Sequence, residues 1–127
     1  MSFDTAKLFL DMILNGQNPY INFSNTNGFY IDFIGGEPLL NIDLMEKITK
    51  YIIDKMIKEN HPWLLKFRVS ICSNGTLYFD SKFQEYLKKY LPWISFSISL
   101  DGNKELHDSC RKFPDGKGSY DLAIKAI

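Results

Sequence analysis

The sequence predicts an α/β fold, and three features of the chain lead to that prediction. First, short apolar segments typical of strands alternate with longer segments of helical periodicity. Second, each strand segment ends at a polar or glycine-containing turn, as parallel β-α units do. Third, two of the strands carry polar residues along one whole face. Together these features predict three parallel strands connected by helices.

The first helix is predicted over residues 3–14. Apolar residues recur there at helical spacing behind Ser2, a typical N-cap, and the pattern stops at Asn15-Gly16. The polar stretch over 17–27 has no periodicity and contains turn-forming residues, which predicts a loop.

The next unit is a strand followed by a long helix. An aromatic and β-branched run over 29–34 ends at two glycines, which is typical of a buried strand that enters a turn. Asp43 then begins a helical pattern with Glu46 three residues further on, which predicts a capping box. The pattern ends near His61-Pro62.

The same unit then repeats. Residues 66–73 form a strand pattern, Asn74-Gly75 a turn, and residues 83–90 a helical pattern that Pro92 stops. Residues 94–100 alternate between apolar and small polar side chains, which predicts a third strand. Ser119 predicts the start of a last helix, whose pattern breaks off at Ile127, as is typical of an internal segment.

The polar faces of two strands indicate a wet interior. Ser95, Ser97 and Ser99 alternate with apolar residues in the third strand, as Ser70 and Cys72 do in the second. Helices pack on both faces of a doubly wound sheet, so its strands are apolar throughout. A partial (β/α) barrel around a polar ligand explains both strands. An exposed edge strand is the alternative explanation for the third.

The composition limits the classes of partner. The chain has 127 residues, of which 45% are hydrophobic, and this is consistent with a single domain over 1–127. Fifteen basic residues balance fifteen acidic ones, so the net charge favours neither nucleic acid nor an anionic membrane. No apolar run approaches the ~18 residues of a membrane span. Two separated cysteines without a secretion signal indicate a cytoplasmic protein.

Three turns are expected at one edge of the sheet, because the carboxyl ends of parallel strands meet there. They span 35–38, 73–76 and 99–102. Gly35 and Gly36 have no side chains to cover the main chain, and the Glu37 carboxylate suits an ammonium group. This combination predicts a site for an amino-acid group, although a tight turn before a helix would also use two glycines.

Segments at these turns resemble the radical S-adenosylmethionine superfamily, most closely its sulfatase- and peptide-maturing enzymes. They are FIGGEPLL over 33–40, SICSNGTL over 70–77, and SISLDG over 97–102 with His107 and Arg111 downstream. The resemblance covers most of the chain and implies that it carries barrel strands two, three and four. It also implies an oxidoreductase that reductively cleaves S-adenosylmethionine and abstracts hydrogen from a peptide or protein substrate.

The resemblance further implies roles for single residues. The first turn would bind the amino group of the cofactor, the second would lie near it, and a serine and an arginine would bind its carboxylate. An arginine fork suits that carboxylate. Without the resemblance, Arg111 would be a solvated loop arginine and Ser99 a partner of the backbone. The expected cofactor-binding residues are Gly35, Gly36, Glu37, Asn74, Ser99 and Arg111.

The resemblance also implies a four-iron four-sulfur cluster in the parent enzyme, bound by a CxxxCxxC motif. Cys72 and Cys110 do not have that spacing, so we expect no metal ligands in this chain. His107 is expected to make ordinary local hydrogen bonds, and His61, which precedes Pro62, is expected to lie at a helix end. The chain is then an internal segment that is inactive alone and whose open sheet edges favour self-association.

Two other functions are consistent with the sequence. A redox-silent module would bind S-adenosylmethionine without cleaving it. A plain structural α/β domain would use the two glycines only to reverse the chain. The sequence specifies neither the substrate nor the bond that is modified.

Overall fold

Strands and helices alternate along the chain in the computed structural model, which describes residues 1–16, 21, 23 and 28–127. The predicted loop over 17–27 lies largely outside the described residues. None of the described helices combines the length and the apolar character that crossing a membrane would require. The helices are α1 (Phe3–Leu14), α2 (Ile42–Lys58), α3 (Ser81–Tyr90), α4 (Lys104–Cys110) and α5 (Tyr120–Lys125), and the strands are β1 (Phe29–Phe33), β2 (Phe67–Ser73) and β3 (Ile94–Ile98).

The three strands form one parallel sheet in the order β1-β2-β3. Phe29 pairs with Phe67 at the start of the β1-β2 ladder, and Ser73 pairs with Ile98 at the end of the β2-β3 ladder. Each connection runs through a helix, as parallel strands require. The predicted α/β class is confirmed.

The helix boundaries follow the sequence signals to within a few residues, but the predicted side-chain caps of α2 and α5 do not form. Ser2 caps α1 by accepting a hydrogen bond from the Thr5 amide, as predicted. The prediction that Asp43 begins a capping box is wrong, because α2 already begins at Ile42, directly after a 3-10 turn over Pro38–Asn41. That turn continues directly into the helix, so Asp43 lies in the first helical turn, where its charge suits the helix dipole.

The short helix α4 is the element that periodicity did not predict. It has seven residues, too few for a repeating apolar pattern, and Asn103 caps it by accepting a hydrogen bond from the Leu106 amide. It lies between the turn that follows β3 and residues 111–119, which lead to α5 and which we call the return segment.

The core lies on one face of the sheet. Phe67, Val69 and Ile71 of β2 are fully buried, and so are Ile52 and Met56 of α2, with which they share one apolar cluster. The opposite face of β2, which includes Ser70 and Cys72, is only half-buried. Since central β2 has the same polar face as outer β3, an edge position does not by itself explain that polarity.

Candidate functional site

The three turns that follow β1, β2 and β3 lie at one edge of the sheet, because all three strands are parallel. Each turn contains residues predicted to bind the cofactor. Hydrogen bonds between the turns show which of these residues are brought together.

The first turn exposes its main chain. Gly35 and Gly36 have φ angles of +84° and +50°, a conformation that residues with a Cβ atom rarely adopt. No heavy atom lies within 4 Å of the position that a Cβ would take at either glycine. A ligand can therefore approach the peptide groups of this turn directly.

Glu37 connects the first turn to the second. The Ser73 hydroxyl donates to Oε1 of Glu37 at 2.8 Å, and the Asn74 amide donates to Oε2 at 2.8 Å. Oε1 also accepts from the Leu39 amide at 3.1 Å. We call this set of hydrogen bonds the Glu37 bridge. The sequence suggested that the carboxylate suits a ligand's ammonium group, and it did not predict that the same carboxylate joins two turns.

The second turn is fixed by its own side chains. Oδ1 of Asn74 accepts from the Thr76 amide at 2.9 Å and from the Thr76 hydroxyl at 2.7 Å. The Gly75 amide donates to the Ser73 hydroxyl at 3.0 Å. Gly75 has a φ of +79°, and a Cβ there would lie 3.1 Å from Cγ2 of Ile98. Three hydrogen bonds thus hold the turn in this conformation, and the Asn74 side chain keeps an NH₂ group as a donor.

Ser99 continues the sheet contact beyond β3. Its amide donates to the Ser73 carbonyl at 2.9 Å. Its hydroxyl lies 3.6 Å from the Cys72 sulfur atom, on the polar side of the sheet. Ser73 therefore contacts both Glu37 and Ser99, and it links all three turns.

Arg111 is paired with the third turn. Its Nε donates to Oδ2 of Asp101 at 2.5 Å, and both side chains are about two-fifths exposed, 37% for Arg111 and 43% for Asp101. The hydrogen bond from Arg111 holds the pKa of Asp101 below its ordinary value. Because the pair uses Nε, the terminal nitrogens of the guanidinium remain as the donor fork suited to a carboxylate.

The residues predicted from the sequence to bind the cofactor therefore differ in how directly they contact one another. Glu37 and Asn74 are in direct contact, and Ser99 is joined to them through Ser73. Arg111 reaches the same edge through Asp101, two residues after Ser99. Gly35 and Gly36 are placed by their position next to Glu37.

The described residues contain no group of three or more His, Cys, Asp or Glu side chains that could bind a metal ion. Cys72 is half-buried and Cys110 is exposed, and neither forms a disulfide. The described residues thus do not fit the ligand set of an iron-sulfur cluster. The open glycine turn and the Glu37 carboxylate present acceptors, and the Arg111 guanidinium presents donors, which are the kinds of group that a zwitterionic amino-acid group requires.

Comparison with known proteins identifies two relatives by sequence, although no protein-family profile matches the chain. An uncharacterized protein of Methanocaldococcus jannaschii is 36% identical over 127 residues, which are the whole chain and 38% of that protein. The radical SAM cyclopropyl synthase TigE of Paramaledivibacter caminithermalis is 35% identical over 105 residues, 82% of the chain and 19% of the synthase. The chain thus spans well under half the length of either relative.

Solved structures of anSMEcpe, a radical SAM anaerobic sulfatase-maturating enzyme, share the fold. Native anSMEcpe with bound AdoMet and the Kp18Cys peptide superposes with a TM-score of 0.72 at 25% identity, over 99% of this chain and 31% of that one. Native anSMEcpe with bound AdoMet gives the same TM-score at 24% identity. The three β-α units therefore form a partial β/α barrel. The sequence similarity to TigE and the structural similarity to anSMEcpe both support assignment of the chain to the radical S-adenosylmethionine superfamily.

Proposed function

We propose that this chain supplies the binding site for the methionine part of S-adenosylmethionine in a radical enzyme that modifies a peptide or protein. The structural neighbours bind AdoMet, and one of them also binds a peptide. The observation that carries the proposal is the Glu37 bridge, because it connects two glycine-containing turns at the edge where Ser99 also lies.

The chemistry of the site matches a zwitterion. The ammonium group needs acceptors, which the uncovered carbonyls of Gly35 and Gly36 and the remaining lone pair of Glu37 provide. The carboxylate needs donors, which Ser99 and the Arg111 fork provide. Asn74, with its free NH₂ group, would contact the cofactor from the second turn.

The rest of the reaction is assigned to the parent enzyme. S-adenosylmethionine supplies the radical chemistry when it is bound and reduced, and the protein binds and orients it and excludes competing reactions. We assign the ligands of the four-iron four-sulfur cluster to residues outside this chain and infer that the chain, as one domain, is inactive alone. The proposed location is the cytoplasm, where reducing conditions preserve free thiols such as Cys72 and Cys110.

The binding proposal is tested by titration calorimetry of the chain with S-adenosylmethionine. Arg111→Ala removes the donor fork and Gly36→Val fills the open turn, so we expect each to weaken binding at least about tenfold. Lys117→Ala is the matched control, because it removes an exposed cation from the same return segment. Wild-type protein that does not bind, or an equal loss in the Lys117 variant, would contradict the proposal.

Inactivity is tested separately. Anaerobic reconstitution of the chain with iron, sulfide and a reductant should produce neither cluster absorbance nor 5′-deoxyadenosine. Appearance of both would show that the chain provides its own cluster ligands. A segment of a larger radical enzyme and a redox-silent module would both bind S-adenosylmethionine without turnover. The length of the natural open reading frame distinguishes these two cases, because only the first requires a longer protein.

A further inference from the structure

His107 is a fully buried polar residue next to the proposed site, with a relative exposure of 0%. It lies in α4, and its ring packs edge-on against Tyr120 at a centroid distance of 5.6 Å. A buried imidazole needs partners for both ring nitrogens. Both partners belong to the segments that carry Asp101 and Arg111.

The hydrogen bonds determine the protonation of the ring. The Asp101 amide donates to Nδ1 of His107 at 3.2 Å, and a backbone amide can only donate. Nδ1 therefore has no proton, and Nε2 carries the hydrogen of the neutral ring. Nε2 donates to the Ser119 hydroxyl at 3.1 Å, and that hydroxyl donates to the Arg111 carbonyl at 3.1 Å.

These bonds form a directed chain from the backbone of Asp101 to the backbone of Arg111. The Arg111 amide also donates to the His107 carbonyl at 2.8 Å, which fixes the other side of the same residue. The two residues at the ends of this chain are those whose side chains form the 2.5 Å ion pair. The geometry of the Asp101-Arg111 side-chain pair thus depends on the backbone positions of both residues, which the His107 ring connects.

Contacts between the return segment and α4 support this chain of hydrogen bonds. The Tyr120 amide donates to Oδ1 of Asp108, the neighbour of His107, at 2.9 Å. A Cβ on Gly118 would lie 1.9 Å from the Asp108 carboxyl carbon, so a larger residue would displace the carboxylate that binds the Tyr120 amide. Ser119 occupies the N-cap position of α5 as predicted, but its hydroxyl does not cap the helix, because it bonds to His107 and Arg111.

We propose that His107 is a positioning residue for Arg111: its Nδ1 accepts from the Asp101 amide, in the tautomer that the Nε2 bond to Ser119 favours, and this bond holds the Asp101-Arg111 pair in the orientation that presents the guanidinium to a carboxylate ligand. Insofar as that ligand is S-adenosylmethionine, the inference rests on the function proposed above. A buried histidine with a purely structural role would stabilise the fold without affecting Arg111 selectively.

Two substitutions test the hydrogen bonds of the two ring nitrogens separately. His107→Asn places a carboxamide oxygen near the position of Nδ1, so it can still accept from Asp101. His107→Gln reaches toward the position of Nε2 and leaves the Asp101 amide without its acceptor. Tyr86→Phe is the control, because it removes a different buried hydrogen bond, the 2.8 Å contact with Thr49 on the helical side of the sheet.

The first readout is the nitrogen-15 NMR signal of the Arg111 Nε–H group, which needs no ligand. We expect His107→Gln to shift this signal and speed its exchange with solvent, while His107→Asn and Tyr86→Phe leave it near the wild-type position. An unchanged Arg111 signal in His107→Gln would overturn the proposal. If the wild-type chain binds no S-adenosylmethionine, the proposed function fails, and this signal still decides the positioning role.

The second readout is affinity for S-adenosylmethionine by calorimetry. Loss of one backbone hydrogen bond that orients a ligand contact should weaken binding about tenfold in His107→Gln, with recovery to within about threefold in His107→Asn. Equal losses in both His107 variants and in Tyr86→Phe, in step with their thermal stability, would show a merely structural role.

Discussion

The two faces of the same sheet differ in what their residues do. On the face toward the helices, Phe67, Val69 and Ile71 are completely buried in the core. On the other face, the intervening Ser70 and Cys72 are half-buried. Because side chains alternate along a strand, one face of the sheet packs in the core and the other lines a polar space. This arrangement fits the interior of a barrel and not a doubly wound sheet.

The largest expected effect compares neighbouring residues of β2. Ile71→Ala should lower the free energy of unfolding by about 3 kcal/mol, because it leaves a cavity in a packed core. Ser70→Ala should change it by less than about 0.5 kcal/mol, because no packed layer is disturbed. Urea denaturation measures both. A similar cost for Ser70→Ala would mean that the polar face is also packed.

An intermediate effect is expected at the Glu37 bridge. Glu37→Gln keeps one oxygen acceptor but turns an NH₂ group toward a donor, either Ser73 or the Asn74 amide. We expect a loss of about 1–3 kcal/mol in the free energy of unfolding. Glu85→Gln is the matched control on the exposed face of α3. If the two variants are equally stable, the bridge does not join the turns in solution.

The smallest effect concerns a polar contact on the helical side. The Tyr51 hydroxyl donates to Asp11, and this bond, with help from Lys55, lowers the pKa of Asp11. A carboxyl with a lowered pKa adds stability above its ordinary value near 3.8, and this stability is lost as the pH falls through the lower folded value. Tyr51→Phe should therefore reduce the loss of stability that occurs below about pH 4, by less than about 1 kcal/mol.

Thermal unfolding at several pH values measures this change. Asp54→Asn serves as the control, because its ion pair with Lys50 is exposed on α2. An acid limb that steepens in Tyr51→Phe would contradict the assigned sign. Together the three comparisons rank buried packing above the bridged turns, and the bridged turns above a part-buried hydrogen bond to a carboxylate.

Sequence periodicity was a good guide where local rules govern the structure. The helix α1 matches its prediction, and β1, β2 and β3 lie within their predicted segments. It was a poor guide to α4, which is too short to show a period, and to the start of α2, where a 3-10 turn replaces the predicted cap at Asp43. Ser119 was predicted as a helix cap, and its hydroxyl instead serves His107.

The sequence by itself determined the order of strands and helices, the polar and apolar faces of the strands, and the edge at which three turns meet. These depend on the two-residue period of a strand and on parallel connections, which are local properties. Only the tertiary structure decided that Glu37 contacts Ser73 and Asn74 and that His107 joins Asp101 to Ser119. Such bonds form when separate turns pack side by side, and no residue pattern along the chain records which side chains will then lie within hydrogen-bonding distance.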